Sequence, residues 1–252
     1  MPIINDLNLQ DVSPVPTDLD LPSTVYKYRE INDRLYESIT LNQIYIPAPS
    51  TFNDPFDSSK ILSRTAFGEI LHRNINESGM LCLCKFADNL PMWAYYGDGL
   101  KGVSIGYDLK MLLHSLKPLK PNPNEYSPRY RYVFDVQYCS GKMEPIREYG
   151  LLNNDDREIQ KMYATKSTAF QHENECRIMV PASPDINGDC TWVGYGMYTH
   201  APEAIKEIIF GIGVLNEKKQ AIMEMLKNRN ISFKQAIPIK ENFGLTIEPL
   251  TA

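Results

Sequence analysis

Two glutamates two positions apart, Glu173 and Glu175, stand where a polar stretch gives way to Cys176-Arg177-Ile178-Met179-Val180, closed by Pro181. In an extended chain, residues two apart project to one face. A carboxylate pair at the mouth of a buried strand is costly to desolvate and repels itself, so it needs a partner or a task. A solvated turn in which Lys166 and Arg177 pair with them is the plain structural alternative. As a task, a carboxylate facing a ribose can hold its 2′-hydroxyl and stabilise positive charge at the anomeric carbon. Other residues suit that chemistry. Arg29, in Val25-Tyr-Lys-Tyr-Arg29, offers a fixed fork for a pyrophosphate, or an ion pair with Glu30 or Asp33. Trp93, Tyr95 and Tyr96 can stack on a planar ring, or simply pack a core. Together these residues describe a site for a dinucleotide whose glycosidic bond is to be broken.

The elements that must carry them are mixed. Val25–Arg29 reads as a strand with Val25, Lys27 and Arg29 on one face and Tyr26 and Tyr28 on the other. Asn32 and Asp33 cap a helix running to about Leu41, with Leu35 and Ile39 on its buried stripe. Gln43–Ile46 is the next strand, followed by a Pro- and Phe-ordered loop over residues 47–57 of the kind that borders sites. A helix near residues 65–76 precedes an apolar strand, Met80–Phe86. Asp88 or Asn89 caps a short aromatic helix over Met92–Tyr96, ending at Gly97 and Gly99. Lys101–Tyr107 is a strand, Asp108 caps a Leu-rich helix, and residues 117–128 form a proline-rich loop. Arg131–Tyr138 alternates as one half-buried strand.

Asp155 and Asp156 cap a helical pattern that carries Ile159, Met162 and Tyr163 and runs on through Lys166, Thr168 and Phe170. Residues 185–189 are a turn, and strands follow at 190–198, 205–211 and 231–239, with a helix capped by Asn216 between the last two. The expected architecture is α+β: mixed, mostly antiparallel split sheets with flanking helices. Residues 1–24, with four prolines, read as an N-terminal arm, and residues 25–252 as a single domain.

Composition narrows the field. The chain is 43% hydrophobic and 23% charged, an ordinary globular balance. A net charge of -5 argues against sequence-independent nucleic-acid binding, which leaves a basic footprint. No apolar run approaches the roughly 20 residues of a membrane span, and no signal-peptide pattern opens the chain. Five cysteines, two of them alternating at Cys82 and Cys84, read as reduced thiols of a cytoplasmic protein. Four scattered histidines lack ligand spacing, so no metal site is expected. Phosphate-loop, dinucleotide-fold and hydrolase-elbow signatures are absent.

The segments YKYR, IYIPAPSTFNDPFD, LCLCKFADNLPMWAYYGDGLKGVSIGYD, the run Lys166 to Arg177, and IKEIIFG together resemble an uncharacterised bacterial family of unknown function. Its hallmarks are an Asn-Asp-Pro-Phe loop, a Met-Trp-x-x-Tyr helix and a Glu-x-Glu-x-Arg segment. The resemblance covers roughly residues 25–235, and departs from the pattern at Phe170 and at Cys84-Lys85. The order of motifs also resembles, more distantly, the ADP-ribosyltransferase superfamily: an aromatic-Arg strand, a polar-ended middle strand, and Glu-x-Glu leading into an apolar strand. That resemblance implies an ADP-ribosyltransferase-like fold with NAD as cosubstrate. Glu175 would be catalytic, Glu173 would orient or activate the acceptor, Arg29 would hold NAD, and Cys84 would brace the glutamate where the superfamily has serine. Tyr28, Trp93, Tyr96 and Lys166 would complete the NAD site.

The function expected is therefore NAD-dependent ADP-ribosylation of a protein or nucleic-acid acceptor, in the role of a cytoplasmic toxin or phage-defence effector. A rival from another class is a non-catalytic sensor that recognises a nucleotide or peptide in an aromatic cleft of Tyr28, Phe52, Phe56, Trp93 and Tyr96. A third is a metal-independent nuclease or phosphotransfer enzyme using Lys166, Arg29 and Glu175, against which the low basicity counts. Geometry separates them: the enzyme readings need Arg29 and Glu175 to line one cavity, and the two on opposite faces of the fold would leave only the sensor.

Overall fold

The computed structural model describes residues 4–5, 21–54, 56–57, 73, 75–119, 130–141, 156–184 and 190–250. Most of the helix expected near residues 65–76, of which residues 73, 75 and 76 are described and helical, lies outside these, as do the turn at 185–189, the cap at Asp155 and most of the N-terminal arm. Of the arm, Ile4–Asn5 forms β1, antiparallel to the strand Tyr130–Asp135 (β7).

The fold is mixed α and β around one nine-stranded sheet. Its first half is built from β1, β7, Glu175–Val180 (β10) and Gly79–Cys84 (β4), in that order and antiparallel. Its second half is Thr24–Arg29 (β2), Val103–Asp108 (β5), Ile205–Phe210 (β14), Ser232–Pro238 (β15) and Leu245–Pro249 (β16). Among the described residues, only β14 and β15 run parallel within it. The halves meet through a single residue pair, Tyr26 with Cys84, whereas β2 pairs with β5 over six residues and β4 with β10 over six. Beyond Tyr26 and Cys84 the two strands part. The sheet is forked there.

Local chemistry explains most element ends. Asn32 caps helix α1 (Asp33–Leu41) by accepting from the Leu35 N–H at 3.0 Å. The helix closes on Asn42 at φ 53°, a left-handed position that Asn tolerates. Asn89, rather than Asp88, caps α2 (Leu90–Tyr95), with Pro91 in its first turn. Asp108 caps α3 (Leu109–Ser115). Leu109, Leu112 and Leu113 of α3 join Leu35 and Ile39 of α1 in a core under one sheet face, with Val25, Leu81, Leu83, Ile105, Cys176 and Ile178. The other face of β10 and β4 carries Met179 and Met80 into a smaller cluster roofed by helix α4 (Asp156–Ala164) through Met162, Tyr163 and Ala164.

Three sequence expectations are corrected. The α4 helix stops at Ala164; Lys166 lies in a strand, Thr165–Ser167 (β9), and residues 168–173 form a 3-10 turn. The alternating run Arg131–Tyr138 is two strands, because after Asp135 the chain leaves β10 and Gln137–Cys139 (β8) pairs parallel with β9. The strand expected at 190–198 is likewise two, Cys190–Trp192 and Gly196–Thr199. The latter joins a separate three-stranded sheet with Gln43–Ile46 and Lys117–Pro118.

Candidate functional site

The fork opens into a cavity of about 340 Å³. Tyr26, Lys27 and Tyr28 line it from β2, and Cys82, Leu83 and Cys84 from β4. The loop after the strand Gln43–Ile46 contributes Pro47, Thr51, Phe52, Asn53 and Asp57; Met92 comes from the aromatic helix and Tyr96 from its C-terminal cap; Lys166, Glu173 and Glu175 form the charged wall. Ligand pockets run from roughly 300 to 1,000 Å³. The volume suits a ring with a sugar attached better than a whole dinucleotide.

Glu173 and Glu175 do converge, but not through an extended chain. Glu173 ends the 3-10 turn and Asn174 turns the backbone at φ 43°, before Glu175 begins β10. Asn is again the side chain suited to that left-handed step. The turn is pinned on both sides. The Lys85 N–H donates to the Asn174 carbonyl at 2.9 Å, and Asn89 Nδ2 donates to the His172 carbonyl at 2.6 Å. The Glu175 N–H donates to the Tyr138 hydroxyl at 2.9 Å.

Both carboxylates meet Lys166, whose Nζ donates to Glu173 Oε2 at 2.5 Å and to Glu175 Oε2 at 3.4 Å. Asp57 Oδ2 is 3.7 Å from the same ammonium. Arg177, fully buried on the Glu175 side of β10, closes the group. Its Nε and Nη2 donate to Glu175 at 2.9 and 3.2 Å, its Nη1 and Nη2 to Asp57 at 2.7 and 2.6 Å, and its Nη1 to the Tyr163 carbonyl at 2.7 Å. These bonds match the guanidinium's full donor set. Phe52 lies under the Arg177 guanidinium and Phe170 under the Lys166 ammonium, at 5.6 and 4.7 Å.

The charges set each other's protonation. Burial pushes the Glu175 carboxyl up, but Arg177 and Lys166 outweigh it and hold it at about 2. Burial pulls the Lys166 ammonium down, yet Glu175, Glu173 and Asp57 raise it overall. Glu173 reaches back toward the cavity, where the Tyr96 hydroxyl donates to its Oε1 at 3.0 Å and Asn53 Nδ2 donates to that hydroxyl at 3.3 Å. Burial, then Glu173, pushes the Tyr96 phenol up to about 12. On the opposite wall, Lys27 Nζ donates to the Cys82 carbonyl at 2.9 Å, and burial pulls its ammonium below the usual lysine range.

Of the residues singled out from sequence, the structure brings Glu173, Glu175, Lys166, Tyr28, Cys84 and Tyr96 onto this cavity. It leaves out Arg29 and Trp93. Arg29 continues the Val25–Lys27 row of β2, the row whose Val25 enters the core on the sheet face opposite Glu175. Lys27 is the cation of that strand at the cavity, because the fork lets it reach across to β4. Trp93 is fully buried: its ring packs edge-on to Tyr28 at 5.1 Å and its Nε1 donates to the Ala87 carbonyl at 2.9 Å. It supports the wall and offers no stacking face. The thiol against Glu175 is that of Cys82, not Cys84. Cys84 is the backbone partner of Glu175, but the carboxylate leans along its strand toward Arg177, which carries it to Cys82. The Cys84 sulfur instead accepts from the Phe86 N–H and Asn89 Nδ2.

Sequence reasoning did not assign Asp57, Lys27, Cys82 or Tyr26 to the site. The available signal for Asp57 was the turn-dense Asn53-Asp-Pro-Phe-Asp57 loop. Its partner Arg177 lies 120 positions away, so nothing local links the two.

Among the described residues no cluster of His, Cys, Asp and Glu could hold a metal ion, and no helix is long and apolar enough to cross a membrane. Residues 92–178 match a family described as a protein of unknown function, DUF2971. That span runs from the aromatic helix through Arg177 and so holds the whole charged wall of Lys166, Glu173 and Glu175. It does not include β2 or the residue 47–57 loop. No curated protein and no solved structure matches the chain.

Proposed function

We propose that this protein is an NAD-dependent ADP-ribosyltransferase that breaks the nicotinamide–ribose bond in the fork and passes the ADP-ribosyl group to a macromolecular acceptor. The observation that carries this reading is strand order. The Glu-x-Glu strand β10, the cysteine strand β4 and the YKYR strand β2 are immediate neighbours, and the sheet forks between the last two. These are the three strands that the superfamily resemblance singles out, and they are distant in sequence. An ADP-ribosyltransferase-like fold belongs to the same proposal, as does a cytoplasmic effector role.

The residues present fit the nicotinamide–ribose end of NAD. Tyr26, Tyr28, Phe52 and Tyr96 supply ring surfaces, and Glu175 stays ionised to face a developing positive charge at the anomeric carbon. The carbon–nitrogen bond breaks with its electron pair leaving on nicotinamide. The acceptor's nucleophile bonds to the anomeric carbon, and Glu173, joined to Tyr96 and Lys166, takes up its proton. With Arg29 on the opposite sheet face, the condition set for it is not met, and the proposal stands on Lys27 in the phosphate-facing role that the resemblance gave to Arg29.

Incubating the protein with isotopically labelled NAD and cell lysate should yield free nicotinamide and a labelled acceptor by mass spectrometry. Glu175→Gln should abolish both while NAD still shifts the melting temperature. Absence of nicotinamide release together with absence of an NAD thermal shift would retire the proposal. Two observations favour the sensor reading: Arg29 stands off the cavity, on the sheet face opposite Glu175, and both Glu175 oxygens are already bonded to Arg177 and Lys166, a saturated state suited to structure. NAD or nucleotide binding with no bond cleavage in wild type would select it.

A further inference from the structure

Two lysines line the fork cavity, and their surroundings differ in kind. Lys166 Nζ stands among three carboxylates, those of Glu173, Glu175 and Asp57. Lys27 has no carboxylate within ion-pair reach among the described residues. Its Nζ reaches from β2 across the parting of the strands and donates once, to the Cys82 carbonyl at 2.9 Å. One carbonyl suits a neutral amine, which gives it an N–H and keeps a lone pair free. An ammonium in the same place would hold two further N–H groups without an acceptor, away from bulk water. The electrostatics agree with the geometry. Burial dominates and pulls the Lys27 ammonium down; Arg29 on the same strand pulls the same way, and Cys82, Glu175 and Glu173 oppose without reversing it. Lys166, by contrast, is raised by its carboxylates and stays charged.

A lysine amine without a counter-ion, in a cavity walled by Tyr26, Tyr28, Phe52 and Tyr96, matches one chemistry. We propose that Lys27 is the reactive amine of the fork and that the cavity takes a small aromatic aldehyde or ketone, which condenses with it. The Nζ lone pair bonds to the carbonyl carbon and the carbon–oxygen π pair moves to oxygen. The nitrogen gives up its two hydrogens, the oxygen leaves with them as water, and a carbon–nitrogen double bond remains. The rings hold the ligand's own ring by offset stacking while the bond forms. This reading goes beyond ADP-ribosyl transfer. A phosphate brought beside the amine would return its proton, so the reactive form belongs to the fork before NAD binds.

The test treats the full chain with benzaldehyde and sodium cyanoborohydride at pH 7, without NAD, and maps benzylated lysines by peptide mass spectrometry. Lys27 should be modified at least about tenfold faster than the exposed Lys227, because an ordinary exposed lysine titrates at about 10.4 and is almost wholly charged at pH 7. Lys166 should stay unmodified. Modification of Lys27 should saturate with benzaldehyde, and benzyl alcohol, the same ring without the carbonyl, should slow it. Modification of Lys227 should rise linearly and ignore the alcohol. The proposal is overturned if Lys27 is not modified, if it is modified no faster than Lys227, or if either the saturation or the protection by benzyl alcohol is absent. None of these outcomes bears on nicotinamide release.

Discussion

The two faces of β10 are buried to the same depth by opposite means. On one face Cys176, Ile178 and Val180 are fully buried in the main core. On the other, Glu175 and Arg177 are buried just as deeply, followed by Met179. Backbone, ladder and register are shared, so the difference lies in the side chains alone. The apolar row is held by area removed from water, which is non-directional and forgiving. The charged row is held by directional bonds among Arg177, Glu175, Asp57 and Lys166, each needed to offset the desolvation of the others. Such a network rarely stabilises more than apolar residues of the same shape would. The network stands at the mouth of a cavity, where Glu173 and Glu175 meet the fork.

The sharpest way to break the comparison is Arg177→Met. It strands Glu175 and Asp57 in the interior, and should cost about 3–5 kcal/mol in denaturant unfolding. Adding Glu175→Leu and Asp57→Leu should recover most of that loss, since an apolar set of similar volume carries no unpaired charge. A triple variant no more stable than Arg177→Met would mean that the network itself stabilises the fold.

One residue along, on the apolar face, Ile178→Ala should cost about 3 kcal/mol, a transfer and cavity loss without any charge left behind. Unlike Arg177→Met, its penalty should not change with pH between 3 and 7, which unfolding curves at several pH values would show.

A smaller effect separates the faces in acid. The Glu175 carboxyl is held near 2 in the folded state against an ordinary 4.5. A depressed folded value means that its contribution is fully present above about pH 4.5 and is lost as pH falls toward 2. The loss is on the order of a few kcal/mol. Glu175→Gln, less stable than wild type at neutral pH, should show a flatter profile across that window. A wild-type profile equally flat there would contradict the depressed value. The smallest change expected is Phe170→Leu, which removes the ring 4.7 Å from the Lys166 ammonium. It should cost about 1 kcal/mol in the same unfolding assay, and leave the acid profile unchanged.

Short-range physics made much of the fold legible from sequence. Asn32 and Asp108 cap the helices they precede, and Val25, Leu35, Ile39, Leu112 and Ile178 enter the core that their periodicity implies. Capping and amphipathic spacing depend on neighbours within a turn or two, so the chain itself carries them. The need of the Glu173–Glu175 pair for partners was legible for the same reason: carboxylates beside an apolar strand demand partners wherever they fold. Which partners they met was a tertiary matter. Trp93 lies in a short helix and Tyr96 caps its end, yet one is sealed in the wall and the other faces the cavity, because the helix docks with Trp93 against Tyr28. Strand alternation places Lys27 and Arg29 in one row, but only the fork between β2 and β4 lets Lys27 reach the Cys82 carbonyl. Arg177 finds Asp57 across 120 positions. Side-chain type and local spacing state which groups must be satisfied; strand order and the parting of two strands decide what satisfies them.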